Sequence, residues 1–353
     1  MKVDVVLGLS YGDEGKGKIC HSLLEKNKYT HVVRFNGGSN AGHTIYHEGK
    51  KLVTHLIPSG VFYGVKSLIG PGCVVDVHKF FQELKYLEEN GINTKGLVFI
   101  AKNAHLVQEI HTDEDSTDTS IGTTRTGNGP CYRDKYARKG LRAEEYDALE
   151  PYLIDFYKEF YGQNNNSIKI LAEGAQAFHL DIDWGDYPYV TSSHCGLGSV
   201  LLNGFNHKHI RNVYGVIKAY DTYVGAKKFQ PEDKIFEDIQ ELGQEFGATT
   251  GRKRQCNWLN WDNIEKSMFM NGVNRLVINK VDILDKVNAW NVYYRGKVLN
   301  LKNQENFERW ICDNCLQFNA KVYFSYSPHG LDWHDKSSKK FESNLNNIDR
   351  FLG

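Results

Sequence analysis

The chain has 353 residues, 41% hydrophobic and 24% charged, enough for a substantial core and unlike a disordered segment. Lys+Arg and Asp+Glu both number 43, and a net charge of zero argues against a nucleic-acid binder working through a broad basic face. The seven cysteines are scattered and odd in number, which fits a reducing compartment.

Residues 3–9, VDVVLGL, read as a buried strand; Asp4 interrupts the apolar stretch, so no signal peptide is expected. A Gly-rich turn follows, then a helix in GKICHSLLEKN and a second strand at 31–36. TIYHEGKKLVTHLI (44–57) alternates around Glu-Gly and reads as a hairpin. SLIGPG and VDVHKFFQELKYLEENG give a strand and a helix ending at Gly91, and LVFIA (97–101) is another strand. Residues 112–140 are polar, Gly/Thr-rich and without an apolar period, which predicts a long functional or disordered loop.

A helix is expected near 143–161, strands at 168–173 and 213–220, a helix near 233–246, and strands at 275–280 and 322–325. Cys312 and Cys315 form one CxxC in a helix-like run and read as structural thiols, with zinc or redox chemistry the lesser alternative. The alternation predicts one α/β domain over 1–353, a mostly parallel central sheet flanked by helices, with small hairpin and loop subregions. No run approaches the roughly 20 apolar residues of a membrane span. The expectation is a soluble cytoplasmic protein with no membrane or nucleic-acid partner.

Gly12-Asp13-Glu14-Gly15-Lys16-Gly17-Lys18 satisfies GxxxxGK between a strand and a helix, where backbone N–H groups attract phosphate. The plainer alternative is a Gly-rich turn with surface lysines. Ile19 stands where a P-loop has the Ser/Thr that holds Mg²⁺, and Asp13 is the nearest substitute. NKVD (279–282) follows an apolar strand; an Asp there can accept from the N1–H and 2-amino group of guanine, donors that adenine lacks. Together the two stretches point to a GTP-using protein with a P-loop-like site. GGSNAGHT (37–44) puts His43 after a strand among glycines that permit close ligand approach. GATTGRKRQ (247–255) suits a loop gripping a carboxylate, or else a solvated basic turn. EGAQ (173–176) puts an amide at a strand end.

With these stretches in order, and with HLIPSG, DKYARKGLR, LDIDWGDYPYVTSS and NKVDILD, the sequence resembles the adenylosuccinate synthetase family over nearly its whole length. The resemblance implies that IMP, L-aspartate and GTP give adenylosuccinate, GDP and phosphate through 6-phosphoryl-IMP. It implies that Asp13 removes the N1 proton of IMP, that His43 and Lys16 are catalytic, and that Mg²⁺ is held by Asp13 and Gly42. GTP would meet residues 12–18, Gly42, His43, Thr44, Lys280, Val281, Asp282, Ser325, Tyr326 and Ser327. IMP would meet Asp13, Lys16, Asn40, His43, Thr124, Gln176, Thr191, Val224 and Arg252, with Arg138 arriving from the neighbouring subunit of a homodimer. Aspartate would sit on Ala248, Thr249, Thr250, Gly251, Arg252 and Arg254. Glu14 receives no role beyond charge near a helix N-terminus.

Two departures stand out. GTTRTGNGP (122–130) puts Arg125 and Thr126 where the family has Gly and Arg, and Ser327 replaces a glycine. One alternative is a phage-type relative that aminates dGMP; the retained Asp13 favours IMP. Another is a noncatalytic GTP-binding module, which leaves GATTGRKR and EGAQ unexplained.

Overall fold

The structure, a computed structural model, describes residues 1–47, 49–118, 122–162, 167–247, 251–327 and 333–336. Ten strands form the central sheet: β1 (Lys2–Gly8), β2 (His31–Arg34), β3 (Lys66–Ile69), β4 (Val98–Ala101), β5 (Leu153–Ile154), β6 (Lys169–Glu173), β7 (Ile210–Lys218), β8 (Arg275–Asn279), β9 (Lys321–Ser325) and β10 (Trp333–Asp335). Their order is β10-β9-β8-β7-β1-β6-β2-β3-β4-β5, and each neighbouring pair is parallel except β9–β10. Both faces of β1 are covered. Val3, Val5 and Leu7 join one core cluster, and Val6 joins another with Ile19 and Leu23 of helix α1 (Lys16–Lys26). That two-sided burial is why β1 reads as an unbroken apolar run. Its one interruption, Asp4, is buried and accepts from Tyr29 Oη (2.8 Å), Arg211 Nε (3.0 Å) and Asn212 Nδ2 (2.7 Å).

Three expectations fail locally. Much of 112–140, downstream of helix α2 (Val77–Glu89), is helical: α3 spans Glu109–Thr117 and α4 spans Asn128–Ala137. They bury polar groups, so they show no apolar period; Asp115 is buried and accepts from Thr123 Oγ1 (2.7 Å) and the Gly127 N–H (2.8 Å). Pro130 lies in the first turn of α4, where its missing N–H has no helical partner to lose. Residues 143–161 are not one helix. They form 3₁₀ turns at Ala143–Glu145 and Asp147–Tyr152, the latter containing Pro151, then β5 and the short helix Phe156–Tyr161. The helix expected near 233–246 covers only Ile235–Leu242. A four-stranded sheet built from Tyr220–Tyr223, Gln255–Asn260, Asn291–Tyr294 and Lys297–Asn300 was absent from the sequence reading. Its strands are polar or half-exposed, so they lack the apolar runs of the central sheet. No helix among the described residues is long and apolar enough to cross a membrane.

Candidate active site

The carboxyl ends of β1, β2, β6, β7 and β8 open on one cleft of about 1140 Å³. This is where open α/β sheets bind ligands. The cleft is lined by Gly12 to Lys18, by Asn40, Gly42, His43 and Thr44, and by Thr124, Gln176, Thr191 and Val224. Arg252, Arg254, Lys280, Asp282 and Ser327 complete the sequence-predicted residues that reach it.

The phosphate loop is organised by Glu14. Its carboxylate is buried and accepts from the Gly12 N–H (2.8 Å) through Oε1 and from Lys16 Nζ (2.7 Å) through Oε2. It shapes the loop from inside and balances the buried Lys16. Gly8 makes room for it: a Cβ there would come within 2.5 Å of Glu14 Oε2. Gly15 has φ +92°, and a Cβ would meet Asn279 Nδ2 at 2.9 Å, so the loop needs glycine on both counts. Asp13 itself takes φ +59°, a left-handed conformation that Asp tolerates better than most residues.

At the other end, β8 delivers Asn279, whose Nδ2 donates to the Glu14 carbonyl (2.7 Å). Lys280 caps the short helix Val281–Lys286 and donates to the Gly243 carbonyl (2.5 Å). Asp282 pairs with Lys286 (2.9 Å) one turn on. Lys18 is engaged outside its own loop. Its Nζ donates to Ser325 Oγ (2.5 Å) and to the Ser327 carbonyl, tying the 325–327 loop to α1. Ser325 and Val281 are fully buried, and Tyr326 donates to Glu308 Oε1 (2.5 Å); these three lie behind the cleft wall.

His43 is buried in a charged clamp that sequence reading missed. Its Nδ1 lies 2.5 Å from Glu173 Oε1, which can only accept, so Nδ1 carries the proton. Nε2 then accepts from Arg34 Nη1 (3.3 Å), which also donates to Glu173 Oε1 (3.2 Å). Ser59 gives Glu173 Oε2 two more bonds, from its N–H (3.0 Å) and Oγ (2.5 Å). Burial and the Arg34 charge push His43 below its ordinary value, against the pull of Glu173. Burial works to raise Glu173, but His43, Arg34 and Ser59 outweigh it and hold the carboxyl at about 2. An Arg in a buried apolar strand (HVVR) and a Glu at the end of another (KILAE) were the available signals.

Arg254 Nε lies 2.9 Å from Asp13 Oδ2, an ion pair whose angle falls short of a hydrogen bond. This contact joins the GATTGRKR stretch to the phosphate loop. Gly251 lies outside the cleft lining, and Ala248, Thr249 and Thr250 lie outside the described residues. Arg138 is exposed and also outside the cleft, and caps α4 with φ +62°. Arg125 takes φ +56°, a left-handed conformation that glycine adopts more readily than arginine. Among the described residues, Asp181, Asp183 and His194 could hold a metal. However, Asp181 already accepts from the N–H groups of Asp183 (2.9 Å), Trp184 (3.3 Å) and Cys195 (2.5 Å), and so shapes its own loop.

The adenylosuccinate synthetase family model matches residues 5–148 and 143–309. The chain belongs to the adenylosuccinate synthetase family. An adenylosuccinate synthetase of Lodderomyces elongisporus is 36% identical, covering 99% of this chain and 93% of that protein. One from Bacteroides fragilis is 40% identical, over 81% and 79%. The fully ligated adenylosuccinate synthetase of Plasmodium falciparum superposes with a TM-score of 0.84 at 28% identity, covering 95% of this chain and all of that one. The succinoaminodeoxyadenylate synthetase of cyanophage S-2L, bound to dGMP and dATP, shares the fold with a TM-score of 0.75 at 21% identity. The reaction of an adenylosuccinate synthetase is the GTP-dependent joining of aspartate to IMP, a C–N ligation.

Proposed function

We propose that the cleft makes adenylosuccinate by the following division of labour. Asp13 removes the N1 proton of IMP, because a lactam O6 is a poor nucleophile until N1 is deprotonated. O6 then attacks the γ-phosphate of GTP, and the amine of aspartate displaces phosphate from C6. Residues 12–18 hold the phosphates and Lys280 and Asp282 hold the guanine. Arg252 and Arg254 take the carboxylates of aspartate. Asn40, Thr124, Gln176, Thr191 and Val224 hold IMP. His43 faces the charge that develops on O6 and the transferred group. Both its ring nitrogens are engaged here, so it serves substrate by exchanging the Arg34 contact while Glu173 keeps Nδ1 oriented. The observation that carries this reading is Asp13 itself: it sits on the phosphate loop yet pairs with an arginine of the aspartate loop, where the two substrates must meet.

Asp13 and Gly42 both line the cleft, and a carboxylate with a backbone carbonyl are hard oxygen donors that suit Mg²⁺. Bound there, Mg²⁺ would neutralise phosphate charge. Arg138, exposed and away from its own cleft, supports a homodimer in which it reaches the neighbouring subunit's nucleotide. A panel of IMP, dIMP and dGMP, each with GTP and with ATP, tests the reading by ultraviolet absorbance. Turnover of IMP with GTP is expected. Turnover of dGMP without IMP would overturn it.

A further inference from the structure

Behind the cleft wall lies a buried carboxylate to which the scheme above gives no part. Glu245 is fully buried. Tyr220 Oη donates to its Oε1 (2.7 Å), and Lys218 Nζ (3.0 Å) and Arg254 Nη1 (2.6 Å) both donate to its Oε2. Lys280 Nζ stands 3.9 Å from Oε1 and donates to the carbonyl of Gly243, two residues earlier. Lys218, Arg254 and Lys280 all line the cleft, so this one carboxylate holds three cations at its surface. One edge of the Arg254 guanidinium is fixed by Glu245 while Nε faces Asp13. A flexible arginine held at one edge loses fewer conformers when it acts at the other.

We propose that Glu245 is a positioning residue that aligns Arg254 on Asp13 and holds Lys280 at the guanine pocket, so that one carboxylate sets both ends of the GTP site. This rests on the reading of Asp13 as base and Lys280 as a guanine contact. A carboxylate that merely neutralised buried lysines would affect folding and the amount of active enzyme, not the Michaelis constant of one substrate.

The test is steady-state kinetics of Glu245→Gln, with Arg254→Met and Lys280→Met as references. Glu245→Gln is expected to lower kcat about tenfold and raise KM for GTP about fivefold, with KM for IMP within about twofold of wild type. In an Arg254→Met background the same change should lower kcat less than about twofold further, because Glu245 acts through Arg254. Unchanged KM for GTP, or a full tenfold loss in that background, overturns the proposal. Should Glu245→Gln fail to fold, Glu245→Asp keeps the charge and withdraws it by one methylene. The same split at smaller size is expected, and wild-type constants would overturn the proposal. If Lys280→Met leaves KM for GTP unchanged, the guanine reading falls with it; if Lys280→Met raises KM and Glu245→Gln does not, the proposal alone falls.

Discussion

The side-chain amide of Asn279 donates to the backbone carbonyl of Glu14 across 2.7 Å, so the guanine loop and the phosphate loop share a hydrogen bond. The Asn of NKVD therefore fixes the spacing between these two loops, the two ends of the proposed GTP site. Asn279→Ala removes one buried bond, worth about 1 kcal/mol. KM for GTP should rise about fivefold while KM for IMP stays unchanged, as steady-state kinetics would show. Equal rises for both nucleotides would mean that the bond serves the whole fold instead.

Glu14 is 1% exposed and clasped between the Gly12 N–H and Lys16. Glu14→Ala leaves Lys16 buried without its counter-charge, at a cost of about 3 kcal/mol. Denaturant unfolding should show that loss, with a smaller one for Glu14→Gln, which keeps an acceptor for Gly12. A surface-like cost below about 0.5 kcal/mol would contradict the role.

Glu173 and Glu245 are both held at about 2 against an ordinary 4.5. In each, burial is outweighed by neighbours: His43, Arg34 and Ser59 for Glu173, and Lys218, Lys280 and Arg254 for Glu245. The folded state thus binds fewer protons than the unfolded one below pH 4.5. Each carboxylate adds stability on the order of 3 kcal/mol that is present above about pH 4.5 and lost as pH falls toward 2. His43, lowered by burial, adds a further loss as pH falls below its ordinary 6.5. Asp221 runs the other way: burial raises it to about 6, so protonation there recovers stability. Urea titrations from pH 6 to 3 should therefore show a steep decline below 4.5 that flattens in Glu173→Gln. An unchanged slope in that variant would contradict the clamp.

The parallel sheet was legible because most of its strands are buried on both faces and read as apolar runs; β1, β2, β4, β6, β8 and β9 lie within two residues of their expected limits, whereas β7 starts three residues early and the short β5 and β10 were not expected. The cleft was legible because GDEGKGK, GGSNAGHT, EGAQ and NKVD each follow such a strand. What escaped has a physical pattern. Helices α3 and α4 pack around Asp115 and His111 rather than an apolar stripe, so no period announces them. Arg34, Glu173 and Glu245 act through side-chain contacts between residues far apart in the chain, and nothing local to any one of them states its partner. Glu14 was visible as an acid in an anion-binding loop, and only the inward turn of its carboxylate explains it.

The central claim is that Asp13 is the base on which ligation depends. It is tested most directly by adenylosuccinate formation in Asp13→Asn, with GTP binding measured on the same protein. Turnover should fall about 10³-fold or more while GTP still binds. Retained turnover within about tenfold of wild type would contradict the claim.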